Sequence, residues 1–256
     1  VAATLRYFSL GEISFTGNSG EDKGTYMPNE WAIDMAYSRK LGKYISGAVA
    51  GRMIYSNLTQ GVQDYSKPAI SVAADIAVYY TRPVYWFSNT DANFSWGVSI
   101  NNIGSKMQYN EATLEKDFVP TNLRLGPTLQ LAIDDYNTLA FSVDLNKLLV
   151  PTPPVYATDP ETGAIIFENG EPVIAAGKDD NVGPVQGIIQ SFYDAPGGFK
   201  EELKEFTLGF GAEYWYNQVF TVRAGFFHEA QMKGNRRYVT LGAGLRYNVF
   251  ALDVSY

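Results

Sequence analysis

Period-two alternation runs through most of this chain, and it limits the fold more than any other feature. In 31–38, Trp31, Ile33, Met35 and Tyr37 share one phase, while Ala32, Asp34, Ala36 and Ser38 share the other. That spacing puts neighbouring side chains on opposite faces of a β-strand. The pattern recurs in Phe94, Trp96, Val98 and Ile100 against Ser95, Gly97, Ser99 and Asn101. It returns in Leu139, Phe141, Val143 and Leu145 against Ser142 and Asp144, and in Val239, Leu241, Ala243 and Leu245 against Thr240, Gly242 and Gly244. Counting a blurred first segment at 3–10, eleven strands are expected. Pro127 interrupts one of them and predicts a bulge, because it cannot donate to a ladder.

The two phases differ in chemistry as well as polarity. The apolar phase of these segments carries no charge. The other phase holds mainly Ser, Thr, Gly, Ala and Asn. A soluble sandwich would face water with many Lys and Glu. The predicted fold is therefore an all-β transmembrane antiparallel β-barrel of a bacterial outer membrane, whose apolar phase meets lipid. No run reaches the roughly 18 apolar residues of a membrane helix, and aromatics at 14% suit interface girdles.

The connections alternate too. Tight turns fall at 40–43, 134–137, 216–218 and 247–249, and 81–91 is moderately short. Longer loops fall at 11–29, 57–68, 102–121, 148–202 and 230–235. Short turns on the periplasmic side and long loops outside are the outer-membrane layout. Residues 1–256 are expected to form one barrel domain with a long extracellular loop at 148–202. Bacterial single-chain barrels have an even strand count, so eleven strands imply more at both ends, and Val1 opening directly into a strand implies a processed or truncated N-terminus.

The inner phase carries one charge near the middle of most strands: Arg6, Asp34, Arg52, Asp75, Arg124, Asp144, Glu213, Arg223, Arg246 and Asp253. Opposite signs on neighbouring strands attract, and Arg suits a confined bidentate pair. An ion-pair network bracing a narrow or plugged lumen is expected; a water-filled pore with scattered charges is the other possibility. The inward glycines 97, 126, 209, 211, 242 and 244 leave room for a plug segment or an elongated apolar ligand.

Catalytic and cofactor chemistry is scarce. There are no cysteines and a single histidine, so neither a disulfide framework nor a Cys metal site exists. His228 falls on the lipid phase near a strand end, where a girdle position is expected. No phosphate loop, metal motif or Ca²⁺ loop occurs, so no cofactor or metal is expected. The net charge of −7 argues against nucleic acid. The sequons at 57–59 and 93–95 are taken as chance.

The outer loops offer more. A connection as long as 148–202 is usually functional or disordered. Val185, Ile188, Ile189, Phe192 and Tyr193 have helical spacing between Pro184 and the Pro196-Gly197-Gly198 stop. Such a helix serves either as a docking element or as a lid on the barrel mouth. Tyr109 and Phe118 in the preceding loop are secondary candidates for partner contact.

Tyr7-Phe8-Ser9-Leu10-Gly11-Glu12-Ile13, the run from Pro28 through Asp34 to Leu41, and Tyr238 through Tyr247 resemble the PorV family of the type IX secretion system, over essentially the whole chain. That family is similar to the FadL group of fourteen-stranded barrels with an N-terminal hatch. The resemblance implies that the hatch, the first strands and the last strand lie outside this sequence. It also implies a non-enzymatic role: receiving cargo by its C-terminal signal domain from the SprA (Sov) translocon, and shuttling it to a surface attachment complex with the PorU sortase, beside outer-membrane lipid and lipopolysaccharide. The alternative is a FadL-like channel for hydrophobic compounds. A third role, a lipid A esterase, needs an activated nucleophile, for which a lipid-facing His228 is a poor base.

Overall fold

The computed structural model describes residues 1–16, 19–58, 66–86, 90–112 and 116–256. The interior of the 57–68 loop, the end of the first sequon and the tip of the 81–91 connection lie outside the described residues. Eleven strands form one antiparallel sheet: β1 (Ala2–Ser9), β2 (Asn29–Lys40), β3 (Ile45–Asn57), β4 (Ala69–Trp86), β5 (Thr90–Gly104), β6 (Asn122–Ala132), β7 (Asn137–Leu148), β8 (Phe206–Tyr216), β9 (Phe220–His228), β10 (Arg237–Tyr247) and β11 (Phe250–Ser255). They neighbour one another in chain order, with β1 and β11 at the two ends. The eleven strands expected from the alternation are the eleven in the sheet. None of the described helices is long and apolar enough to cross a membrane.

Local chemistry sets the short turns. Asn217 and Gln218 have φ of 50° and 55°, and the Val219 N–H donates to the Tyr216 carbonyl at 3.0 Å. Two positive φ values in a two-residue hairpin match the right-handed twist of the flanking strands. Between β6 and β7, Asp134 accepts hydrogen bonds from the N–H groups of Tyr136 at 2.8 Å and Asn137 at 2.7 Å, an aspartate-closed turn. Pro127 makes no bulge. Leu125 pairs with Leu145 and Thr128 with Ser142, so the register is the same on both sides. The missing donor leaves only a gap in the ladder.

The chain divides into two compact units. The first comprises Val1–Arg39, Gly47–Ile76 and Ile100–Thr121. Its buried apolar cluster is Ala69, Met107 and Val119, with Ile54 and Tyr109 against it. Ile54 is on the inner phase of β3, so the loop after β5 folds back over the inner side of the wall. The Ser71 hydroxyl donates to the Ser105 carbonyl at 2.7 Å and ties that loop down.

The second unit comprises Lys40–Ser46, Ala77–Ser99 and Asn122–Tyr256. Its long loop contains a hairpin pairing Val155–Tyr156 with Ile174–Ala176 and a smaller one pairing Phe167–Glu168 with Glu171–Pro172. The helices α1 (Pro184–Gln190) and α2 (Phe199–Glu202) follow.

Burial is inverted relative to a water-soluble domain. Among the described residues, the buried side chains include Asp34, Ser56, Lys147, Asp194 and Glu229, while the exposed ones include Leu5 at 71%, Met35 at 69% and Leu241 at 60%. Charged groups are almost never buried unless paired, and soluble chains rarely expose so much contiguous apolar surface. A sheet with this distribution fits hydrocarbon against its apolar phase, and strands that pair their backbone groups across the sheet suit that environment.

Candidate functional site

In the first unit four of the inner-phase charges come together. Arg52 on β3 donates through Nε to Asp34 on β2, and its Nη2 lies 3.1 Å from Asp75 Oδ2 on β4. Arg6 Nη2 reaches Asp34 Oδ2 at 3.4 Å. Thr4, not Arg6, is registered opposite Asp34, so Arg6 reaches it on the diagonal. Asn102 completes the node. Its side-chain oxygen accepts from Arg52 Nη1, and its backbone N–H donates to Asp75 Oδ1 at 2.7 Å. It also donates to the Pro120 carbonyl at 3.0 Å and accepts from Thr121 Oγ1 at 2.7 Å. Asn102 has φ of 60°, a region Asn tolerates better than most residues. The charged node therefore also anchors the end of the inward-folded loop.

The second unit holds a separate cluster. Glu213 on β8 is registered opposite Arg223 on β9 and accepts from its Nε. Arg223 Nη1 also lies 2.5 Å from Asp253 Oδ1 on β11, reaching past the intervening strand β10. Gly244 on β10 is registered opposite both Thr221 and Asp253 and leaves the space the pair occupies. Arg124 and Asp144 line one recess with Tyr79 and Gly97, yet no ion pair joins them. Arg246 has its Cζ 4.6 Å from the centre of the Trp215 ring and is in no ion pair among the described residues.

The long loop is held by buried charge that the alternation did not single out. Lys147, at the end of β7, is 1% exposed. It pairs with Glu202 at 3.2 Å and with Glu205. Lys233, between β9 and β10, bridges Glu201 at 2.8 Å and Glu205 at 2.9 Å. Thr152 Oγ1 donates to Glu205 at 2.7 Å. Burial raises the Glu205 carboxyl, but hydrogen bonds from Lys147, Thr152 and Lys233 outweigh it and leave the pKa below the ordinary value. Hydrogen bonds from Lys233 and the Gly197 N–H lower Glu201. Asp194 is 1% exposed and accepts the Thr152 N–H at 3.1 Å through Oδ2, while its Oδ1 has no hydrogen-bond partner. Burial pushes its pKa up; the Thr152 N–H opposes this, and the charges of Glu202 and Glu205 add to it. One clue was visible in the sequence: Lys147 falls on the apolar phase of Leu139–Leu145, where a lysine marks the level at which a loop replaces lipid.

On this brace sits an outward apolar surface. Helix α1 buries Gly187 and Gln190 and exposes Val185 at 68% and Ile189 at 59%. Ile188 is half-buried. Phe192 and Tyr193, also exposed, lie beyond the helix end rather than within it. Gln190 Nε2 donates to the Asp179 carbonyl at 2.6 Å, fixing the small, polar side inward. This is the reverse of an ordinary surface helix, which turns its apolar stripe inward. Phe199 and Leu203, one turn apart on and just after α2, are exposed as well; they were not anticipated because four helical residues give too short a period.

The two secondary candidates belong to the first unit. Tyr109 is turned into its loop, donating to Ser56 Oγ at 2.9 Å, and Ser56 in turn donates to Glu30 at 2.5 Å. Burial raises the Tyr109 pKa; the Ser56 hydrogen bond opposes it. Phe118 is half-buried beneath Lys106, whose Nζ is 4.1 Å from the ring centre. His228 stacks on Phe226, ring centres 6.5 Å apart, and among the described residues it makes no hydrogen bond to a hydroxyl or carboxylate. No group of acidic or histidine side chains among the described residues has the arrangement to hold a metal.

The family model described as type IX secretion system protein PorV matches residues 1–155. The likeness expected at 238–247 thus lies outside the matched part. No curated protein matches the chain. With more than half of its 256 residues inside that match, the chain belongs to the PorV family of type IX secretion system proteins.

Proposed function

We propose that this chain forms part of an outer-membrane barrel whose long loop binds secreted cargo through the cargo's C-terminal signal domain, after passage through the SprA translocon, and hands it to the PorU attachment complex beside lipopolysaccharide. The observation that carries this is the inverted helix α1, with Val185 and Ile189 outward on a loop pinned by Lys147 and Lys233. An apolar platform left exposed among the described residues suits capture of a folded partner, since binding energy concentrates in few buried anchors. The inner wall, crossed by ion pairs, fits a brace better than a route for acyl chains.

The test uses the full-length protein in outer membranes and a purified signal domain. Val185→Asp with Ile189→Asp is expected to weaken capture by about tenfold or more, while the heat-modifiable gel mobility of the folded barrel stays unchanged. Deletion of 184–198 is expected to abolish capture. Unchanged capture by both variants would remove α1 from the site.

A further inference from the structure

We propose that a recess on the inner phase of the second unit is a binding site for a polar ligand bearing a carboxylate. The recess has a volume of about 720 Å³, within the range of small-ligand sites. It lies at the short-turn end, where Val219 from the β8–β9 turn and Asn248 from the β10–β11 turn border it.

Two arginines reach it, and they differ. Arg223 is already engaged by Glu213 and Asp253. Arg246 has neither carboxylate. Its backbone N–H donates to the Val219 carbonyl at 2.7 Å, and its Cζ lies over the Trp215 ring, 4.6 Å from the centre. The indole is itself oriented, because its Nε1 donates to Glu213 at 2.5 Å. Among the described residues the Arg246 side chain donates no hydrogen bond and joins no ion pair, so the N–H groups of its fork remain for a partner. The geometry those groups match best is a planar carboxylate, held bidentately.

The remaining wall decides the ligand's polarity. Among the described lining residues, Gln130, Thr138, Gln218 and Asn248 present amides and a hydroxyl, Val219 is the one aliphatic residue, and the two Glu213 oxygens already accept from Trp215 and Arg223. An acyl chain would strand those amides and that hydroxyl without hydrogen bonds, which buried polar groups tolerate poorly. A hydrated acid, whether an acidic peptide segment or a small free polycarboxylate, satisfies them. This inference is independent of the cargo platform, which occupies the opposite, long-loop end of the same strands.

The test is calorimetric titration of the full-length protein in detergent with tri-glutamate, with citrate and with inorganic phosphate. At least one of the two carboxylates should bind, and which one does separates the peptide source from the small-acid source. Arg246→Gln should weaken that binding by about ten- to a hundredfold. Arg246→Lys, which keeps the charge and loses the fork, should weaken it by several-fold, with heat-modifiable mobility retained in both. Failure of both carboxylates to bind, equal binding by Arg246→Gln, or phosphate binding as tightly as the carboxylates would overturn the proposal.

Discussion

Gly244 shows how single residues set the charge pattern of this wall. A Cβ there would sit 2.7 Å from Thr221 Cγ2 and 3.3 Å from Arg223 Nη1, and would press on the Asp253 carboxylate. Gly244→Ala is expected to cost about 1–3 kcal/mol, read as a lower urea midpoint of the folded form. Gly51, with nothing within 4 Å of its would-be Cβ, is the control: Gly51→Ala should change stability by less than about 0.5 kcal/mol. The inward glycines were visible in the sequence, but they read there as empty room. Which strand's side chain fills each space depends on register, and alternation alone does not fix register. Asp194 gives a second residue-scale prediction. Its carboxyl is raised by burial, so its ionisation opposes folding of the loop above the ordinary aspartate value, and protonation relieves that as pH falls. Asp194→Asn should slow proteolysis of 149–205 at neutral pH, and the advantage should vanish in acid, where the native carboxyl is already neutral.

At the scale of elements, strands were legible and loops were not. A strand such as β7 announces itself because Leu139, Phe141, Val143 and Leu145 must all meet one medium. The loop after it obeys no period. Its anchors, Lys147, Glu202, Glu205 and Lys233, are far apart in sequence and meet only when the chain returns to β8. The helix α1 was foreseen from apolar spacing, but that spacing normally marks a buried face, and here Gly187 and Gln190 are buried instead. Lys147→Met would leave Glu202 and Glu205 without their shared cation, a loss of about 3–5 kcal/mol for a buried pair. Faster cleavage within 149–205, with unchanged strand content by circular dichroism, is the expected result. The lowered pKa values of Glu201 and Glu205 give the acid limit. Their stabilisation is complete above the ordinary glutamate value of 4.5 and is lost as pH falls through their lowered values. Proteolysis of the loop should therefore accelerate in that acid range.

For the whole molecule, the inverted burial is the unifying property. Exposed leucines and valines on one phase, and paired Arg and carboxylates on the other, fit a sheet with lipid on one side. The family match covers residues 1–155, so the wall through β7, with Lys147 and Thr152, carries the family identity, while α1 and the brace's Glu202, Glu205 and Lys233 lie beyond it. The proposed docking surface thus rests on the geometry of this chain's own loop. The absence of cysteine from these 256 residues suits a direct measurement of the membrane arrangement with single-cysteine variants of the full-length protein in its own bacterium, any cysteine outside this sequence being replaced by serine. Ala164→Cys in the long loop and Asp135→Cys in the β6–β7 turn are treated with a membrane-impermeant maleimide. Ala164→Cys should label in intact cells, and Asp135→Cys only after the outer membrane is opened. Labelling of Asp135→Cys in intact cells, with Ala164→Cys protected, would contradict a wall that spans the membrane with its long loop outside.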